Sequence, residues 1–410
     1  MKKEKISFIH SADLHLDSPF KGLGSVPGAI FEQIRESTFD ALQALVLLAI
    51  EKKVDFVLIA GDVFDENQHS LKARMKLKGA FEQLDAHDIE VYLSYGNHDF
   101  TAGSQFIDQF PENVHVFSDQ QVRSLPFRKN GVTAANIYGF SYRERAITEN
   151  KTPEYILEGQ ALYHIAMLHG SLHSNTEHDV YAPFHVQDMM EKDFDYWALG
   201  HIHTRDVLNQ QPPIVYPGNI QGRSKKESGE KGCYHVELQN GEAKLTFHPL
   251  QQIRFENMKV DVSMCSDPQD IIAVLEKQLA KCKNYYGKVI LHVTFFSNQP
   301  TLQEWQQTGY LEDAVEFIND IDGLDSTWAY IQGYSIQIAH NWNREELAKG
   351  HHFAGELSKR FQETDKIGRY LQPILQHRKA RKYLSGFTEE EQAEIKQQAE
   401  DLLMNELLKK

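Results

Sequence analysis

Five short stretches of the 410-residue chain combine residue types that bind cations. They are "SADLH" with Asp13 and His15, "GDVFD" with Asp62 and Asp65, "GNHD" with Asn97, His98 and Asp99, "HGS" with His169, and "GHIH" with His201 and His203. Carboxylate, carboxamide and imidazole together, without thiolate, form a donor set suited to manganese, iron or zinc. There are enough donors for two ions. A bridging carboxylate would hold such a pair roughly 3.5–4 Å apart, the spacing used for phosphoester hydrolysis. Asp13 and His15 are two residues apart, so both point to one side if the local chain stays extended, and His201 and His203 repeat that spacing.

These stretches need elements that bring them together. Ile6–Ile9, Val54–Ala60, Val91–Tyr95, Asn136–Phe140, His164–Leu168 and Tyr196–Leu199 read as strands, and every donor stretch follows one of them. Phe31–Lys53 carries Ile34, Leu42, Leu45, Val46 and Ile50 near helical spacing. Leu71–Leu84 predicts a second amphipathic helix with Leu71, Met75 and Phe81 on its apolar side. Alternation of strand and helix predicts an α/β domain with parallel strands at its centre. Ligands bind at the carboxyl ends of such strands, which is where the donors fall. Glycines at 61, 96, 170 and 200 mark tight backbone turns along that edge. Beyond Thr204 the chain reads as strands, with an Asn-Gly hairpin at Asn240–Gly241.

Composition narrows the function classes. A net charge of −15 argues against a simple basic nucleic-acid-binding module. Three sparse cysteines, with no CxxC, read as those of a reduced intracellular chain without zinc-finger ligands. The apolar run after the N-terminal lysines is broken by His10 and Asp13, so it reads as a strand rather than a signal peptide, and no membrane span is expected. The expected location is the cytoplasm.

Three stretches could carry phosphate contacts: Lys72, Arg74, Lys76 and Lys78; Arg143 and Arg145; and Arg223, Lys225 and Lys226. Each reads first as a solvated face. His10 reads as a packed strand histidine, His173 and His178 as loop residues, and Asp17 as a turn former. A smaller α/β module spans 255–342, and residues 343–410 read as helical and highly charged. There Thr388 and Glu391 form a capping box ahead of an apolar stripe of Ile395, Ala399, Leu402, Leu403 and Leu407.

D-x-H, G-D-x-x-D, G-N-H-D, H and G-H-x-H, in this order, resemble the calcineurin-like metallophosphoesterases, and "AGDVFD" with the motif spacing resembles their SbcD-type DNA repair nuclease branch. The resemblance is specific to about residue 225. It implies a metallophosphoesterase sandwich, central β-sheets flanked by helices, over 1–250, followed by a small α/β cap over 255–342 and a helical C-terminal region over 343–410. It implies two divalent ions, manganese foremost. Asp13, His15, Asp62 and His203 would hold one, and Asp62, Asn97, His169 and His201 the other. His98 would face the substrate as acid, oriented by Asp65, while Asp99 would fix the loop. The implied partners are DNA and an SbcC-like coiled-coil ATPase docked on the C-terminal region, with a homodimer as a further assembly. Two other functions stay open: a phosphoesterase for nucleotides or other small phosphoesters, and a structural subunit of an ATPase complex with weak activity alone.

Overall fold

The computed structural model of the chain describes residues 4–24, 26–65, 70–100, 110–173, 181–321, 326–339, 344–350, 352–363, 367–377, 379–380 and 386–408. His178 lies outside them. The chain divides into two compact units, Met1–Met258 with Ile272–Val293 and Val315–Tyr334, and Lys259–Ile271 with Thr294–Ala314 and Ser335–Lys410.

In chain order the first elements are β1 (Ile6–Ser11), α1 (Gly28–Lys52), β2 (Phe56–Ala60), α2 (Leu71–Asp85), β3 (Glu90–Ser94), β4 (Val114–Val116), β5 (Arg123–Lys129), β6 (Val132–Gly139), β7 (Tyr163–His169), α3 (Val186–Met190) and β8 (Tyr196–Gly200). There follow β9 (Asp206–Gln210), β10 (Pro213–Tyr216), β11 (Gly232–Gln239), β12 (Glu242–Pro249) and β13 (Arg254–Asp261). The remainder is α4 (Asp270–Tyr286), β14 (Lys288–Ser297), α5 (Thr301–Gln307), α6 (Tyr310–Ile321), β15 (Trp328–Ile338), α7 (Arg344–Lys349), α8 (Phe353–Glu363), α9 (Gly368–Gln376) and α10 (Glu389–Leu408).

Two six-stranded sheets build the first unit, in the orders β12-β11-β1-β2-β3-β4 and β5-β6-β7-β8-β10-β9. Within them β1, β2, β3 and β4 run parallel, as do β6, β7, β8 and β10. The alternation of side chains along each strand explains the continuous apolar runs. In β2, Phe56, Leu58 and Ala60 enter a core shared with Ile137, Ile165, Met167 and Ala198 of the other sheet. Val57 and Ile59 face the opposite way, into a core with Leu42, Leu45 and Val46 of α1 and Leu77, Phe81 and Leu84 of α2. The far side of the second sheet buries Tyr138, Trp197 and Leu199 against Phe184, Met189 and Phe194. This is the expected sandwich of central sheets flanked by helices. At the predicted hairpin Asn240 and Gly241 both take positive φ, 54° and 84°, between β11 and β12.

One apolar face differs from the sequence reading, and a second is exposed in part. On α2 the buried side chains are Ala73, Leu77, Ala80, Phe81 and Leu84, while Leu71 and Met75 are 73 % and 59 % exposed. Small alanines let the helix lie close to the sheet, and they define the packed stripe that the larger residues obscured. On α10 the capping box is present: Thr388 N donates to Glu391 Oε2 at 2.8 Å and Glu391 N to Thr388 Oγ1 at 3.2 Å. Among the described side chains of this helix Met404 and Glu400 are buried and Ile395 and Ala399 half-buried, with Glu400 accepting from Ser358 Oγ of α8 at 2.8 Å. Leu402, Leu403 and Leu407 stay exposed. Among the described residues no helix is long and apolar enough to cross a membrane.

Candidate metal centre

The parallel strands end on one edge, and each donor stretch begins there. Asp13 and His15 follow β1, Asp62 and Asp65 follow β2, Asn97 and His98 follow β3, His169 closes β7, and His201 and His203 follow β8. Asp13, His15, Asp62, Asn97 and His169 are buried, polar groups that water does not satisfy.

The expected extended geometry of the Asp-x-His pair is not what brings Asp13 and His15 together. Both take positive φ, 53° and 42°, as do Asp62 at 49° and His201 at 97°. Left-handed backbone at non-glycine residues is costly and persists only where the surroundings impose it. Here the loops after β1 and β2 bind each other through Asp13 N to Gly61 O at 3.1 Å, His15 N to Asp62 O at 3.0 Å and Leu16 N to Val63 O at 2.9 Å. A third loop is tied in by Asp99, whose Oδ2 accepts from Val63 N and Phe64 N at 2.6 and 3.1 Å and whose Oδ1 accepts from Gly96 N at 2.7 Å. Burial, with the nearby Asp62 carboxylate, pushes Asp99 up to about 7. Glycine is required where loops touch. Gly61 has φ +84°, and a Cβ on Gly200 would lie 1.9 Å from the Ala60 carbonyl oxygen.

The side chains converge. In three groups, Asp13–His15–His203, His15–Asp65–His98 and Asp62–His169–His201, one donor atom from each residue lies within 4.8 Å of the others. Asn97 joins through Oδ1, 3.0 Å from His169 Nε2 and 3.1 Å from His201 Nδ1. Asp62 sits between: its Oδ2 is 3.8 Å from His15 Nε2 and 3.4 Å from His169 Nε2.

Tautomers follow from the outer partners. His203 Nδ1 donates to Glu227 Oε1 at 2.8 Å, His15 Nδ1 faces Asp65 Oδ1 at 3.1 Å, and His169 Nδ1 donates to the Ala60 carbonyl at 2.9 Å. In the neutral form of each ring, Nε2 then carries its lone pair inward. The Nε2 atoms of His15 and His203 meet at 3.0 Å, and His169 Nε2 meets the Asn97 and Asp62 oxygens. Facing lone pairs repel unless a metal ion or a proton lies among them, and at His169, beside Asp62 and Asp13, a proton takes that place when no ion is bound. The pKa values report the same hunger for positive charge: burial would lower His169, yet Asp62 and Asp13 raise it to about 9. Burial would raise Asp62, but His169, His15 and His98 hold it well below the usual carboxylate range. Around His15, burial and then the Arg223 charge press the imidazole down to about 3, keeping it neutral. This donor set fits divalent ions.

A calcineurin-like phosphoesterase family model matches residues 6–205. The uncharacterized metallophosphoesterase YhaO of Bacillus subtilis (strain 168) is 36% identical over 406 residues, covering 98% of each chain. The chain belongs to the calcineurin-like metallophosphoesterases. More distant likeness extends to archaeal proteins named DNA double-strand break repair protein Mre11. One from Thermoplasma acidophilum is 25% identical over 62% of this chain and 68% of its own. One from Archaeoglobus fulgidus is 25% identical over 57% of this chain and 54% of its own. Hydrolysis of phosphoesters with divalent metal is the chemistry of the family, and the His and Asp clusters fit it.

Some placements in this metallophosphoesterase differ from the sequence reading. His98 is exposed, and its Nδ1 donates at 2.8 Å to the backbone carbonyl of Asp65 rather than to the carboxylate. The Asp65 carboxylate is taken by Arg223 and His15. Arg223, read as a candidate phosphate contact, points inward and pairs with Asp65 and with Glu227. Lys225 and Lys226 remain exposed. Glu227, Asn219 and Lys231 were not singled out from the sequence. Their signal was available: "YPGN" ends a further parallel strand, β10, so the segment after it arrives at the same edge as the other donor stretches. Of the residues read as bland, His10 is buried between Tyr196 OH at 2.9 Å and the Leu199 carbonyl at 3.1 Å, and His173 is exposed.

Proposed function

We propose that this metallophosphoesterase hydrolyses phosphodiester bonds of DNA with two divalent ions, manganese foremost. The observation that carries the two-ion reading is the set of three imidazoles whose Nδ1 atoms face oxygen acceptors and whose Nε2 atoms meet one another and the Asp62 and Asn97 oxygens. Asp13, His15, Asp62 and His203 would hold one ion, and Asp62, Asn97, His169 and His201 the other. Bound there, the ions supply Lewis acidity toward the phosphoryl oxygens and the attacking water. His98 is tethered by Nδ1 and also by its backbone N, which donates to Asp62 Oδ1 at 3.0 Å, so its Nε2 is left to meet the leaving oxygen.

DNA as substrate draws support from the likeness to the Mre11-named proteins and from the exposed Arg143 and Arg145. The test is manganese-dependent degradation of linear double- and single-stranded DNA beside a panel of small phosphoesters, with Asp62→Ala as control. Turnover of small phosphoesters alone would reject DNA. The same proposal places the chain in the cytoplasm with an SbcC-like coiled-coil ATPase, which would supply positive charge that a chain of net charge −15 lacks. The exposed Leu402, Leu403 and Leu407 of α10 are the proposed docking surface. Leu403→Glu with Leu407→Glu should abolish co-purification with the ATPase and leave hydrolysis of a small reporter diester intact. Co-purification at the wild-type level would remove α10 from the interface.

A further inference from the structure

The segment from 219 to 231, basic in appearance, converges on a single imidazole. Glu227 Oε1 accepts from His203 Nδ1 at 2.8 Å. Its Oε2 accepts from Asn219 Nδ2 and from Arg223 N, both at 2.8 Å. Lys231, buried, donates through Nζ to the His203 carbonyl at 2.7 Å. The Arg223 guanidinium spans two carboxylates, Glu227 Oε1 at 3.3 Å through Nη2 and Asp65 Oδ1 through Nη1. Its Nη2 also lies 3.3 Å from His203 Nδ1, so both donors share the one Glu227 oxygen. The Arg223 side chain is only 16 % exposed, which is little surface for a phosphate.

From this geometry we infer that Glu227 and Arg223 are positioning residues that set the affinity of the ion held by His15 and His203. The inference rests on the two-ion reading above. Glu227 fixes the His203 tautomer with Nε2 inward and raises the basicity of that nitrogen. Arg223 ties Glu227 to Asp65, the residue facing the Nδ1 of His15, so both imidazoles are braced by one rigid unit. Lysine could not replace it, because a point charge on a flexible stem does not bridge two carboxylates in a fixed plane. Loss of such an outer partner commonly costs about 10–100-fold in metal affinity.

The experiment is a calorimetric Mn²⁺ titration of the metal-free full-length chain, paired with electron paramagnetic resonance of the loaded protein. Wild type should show two binding events and an exchange-coupled pair. Glu227→Ala should weaken one event about 10–100-fold, leave the other at its wild-type value, and replace the coupled spectrum with that of an isolated ion. Glu227→Gln, whose Oε1 can still accept from His203 Nδ1 but whose uncharged amide meets the Asn219 Nδ2 and Arg223 N donors, should weaken the same event less than Glu227→Ala does. Arg223→Lys should weaken the same event as Glu227→Ala and guards against a misfolded alanine variant. If Glu227→Ala leaves both events unchanged, or weakens both equally while lowering the thermal stability of the metal-free chain, the positioning role is wrong. A wild-type chain that binds fewer than two ions would reject the two-ion reading itself, and the inference with it.

Discussion

The two sides of the metal centre are secured by different forces. Behind His15 and His203 stand carboxylates, Asp65 at 3.1 Å and Glu227 at 2.8 Å from the Nδ1 atoms, joined by one guanidinium. Behind His169 stands backbone. Its Nδ1 donates to the Ala60 carbonyl at 2.9 Å, and the hydroxyls of Tyr142 and Tyr216 donate to the carbonyls of His169 and Gly170 at 2.8 and 2.6 Å. Charge holds one side and shape the other. The charge-held side should fail when a carboxylate is removed. The shape-held side should fail when a methyl group is added.

The largest effect should come from the residue between the two sides. Asp62→Ala removes the carboxylate whose Oδ2 is 3.8 Å from His15 Nε2 and 3.4 Å from His169 Nε2. Both metal-binding events and all hydrolysis should be lost, with the fold kept, as read by calorimetry, turnover and circular dichroism. Normal binding of two manganese ions by this variant would contradict the shared position of Asp62. Next is His98→Ala, which removes a ring bonded to the Asp65 backbone carbonyl and leaves the brace carboxylates in place. Turnover should fall about 10²–10⁴-fold, the usual contribution of a general acid, while both binding events persist. Loss of an ion there would make His98 a ligand instead.

The shape-held side has its own weak point. A Cβ on Gly200 lies 1.9 Å from the Ala60 oxygen and 2.8 Å from His169 Nδ1, the two atoms of the brace. Gly200→Ala should cost about 1–3 kcal/mol as overpacking does. It should also weaken the binding event that Glu227→Ala spares. If both variants weaken the same event, the contrast between the two sides is false.

How much of this was legible in the sequence follows the same division. Strand ends that carry Asp, His and Asn in short motifs could be read, because the period of a buried strand and the carboxyl-end rule place them from residue pattern alone. The shape-held side depends on glycines and backbone carbonyls, and the glycines at 61, 96, 170 and 200 were visible as turn markers. The charge-held side was not visible. Arg223 and Glu227 lie in "QGRSKKESGEKG", where a run of mixed charge looks like a solvated loop, and only the fold shows that one arginine turns inward while the next two lysines do not. The extended reading of Asp13 and His15 failed for a related reason. Positive φ at both is imposed by backbone bonds to the loop after β2, a partner some fifty residues away in sequence. On α2 the alanines that pack closely carry less hydrophobic signal than Leu71 and Met75, which face outward.

The smallest effect tests the support beneath the shape-held side. His10 is buried, with its Nε2 donating to the Leu199 carbonyl at 3.1 Å and its Nδ1 accepting from Tyr196 OH at 2.9 Å, one residue before Gly200. Burial lowers its pKa from the ordinary 6.5 to about 3, against a smaller upward pull from the Leu199 carbonyl. Between those values the unfolded chain binds a proton at this residue and the folded chain does not. Stability therefore falls as pH falls through that window, by up to about 1.4 kcal/mol per pH unit for one proton. The carboxylates of the charge-held side act in a lower window. Burial would raise Asp65 and Glu227, but His15 for the first, and His203 with Arg223 for the second, hold both below the usual range, so their contribution is present above the unfolded carboxylate value and is lost only as pH falls through the folded one. Urea unfolding of metal-free wild type and His10→Gln between pH 4.5 and 6 separates the two. The variant should be less stable throughout, and its stability should rise less steeply with pH, by about one proton's worth of slope. Parallel slopes for the two proteins would mean that His10 does not stay neutral in the folded state, and that this side of the centre also leans on charge.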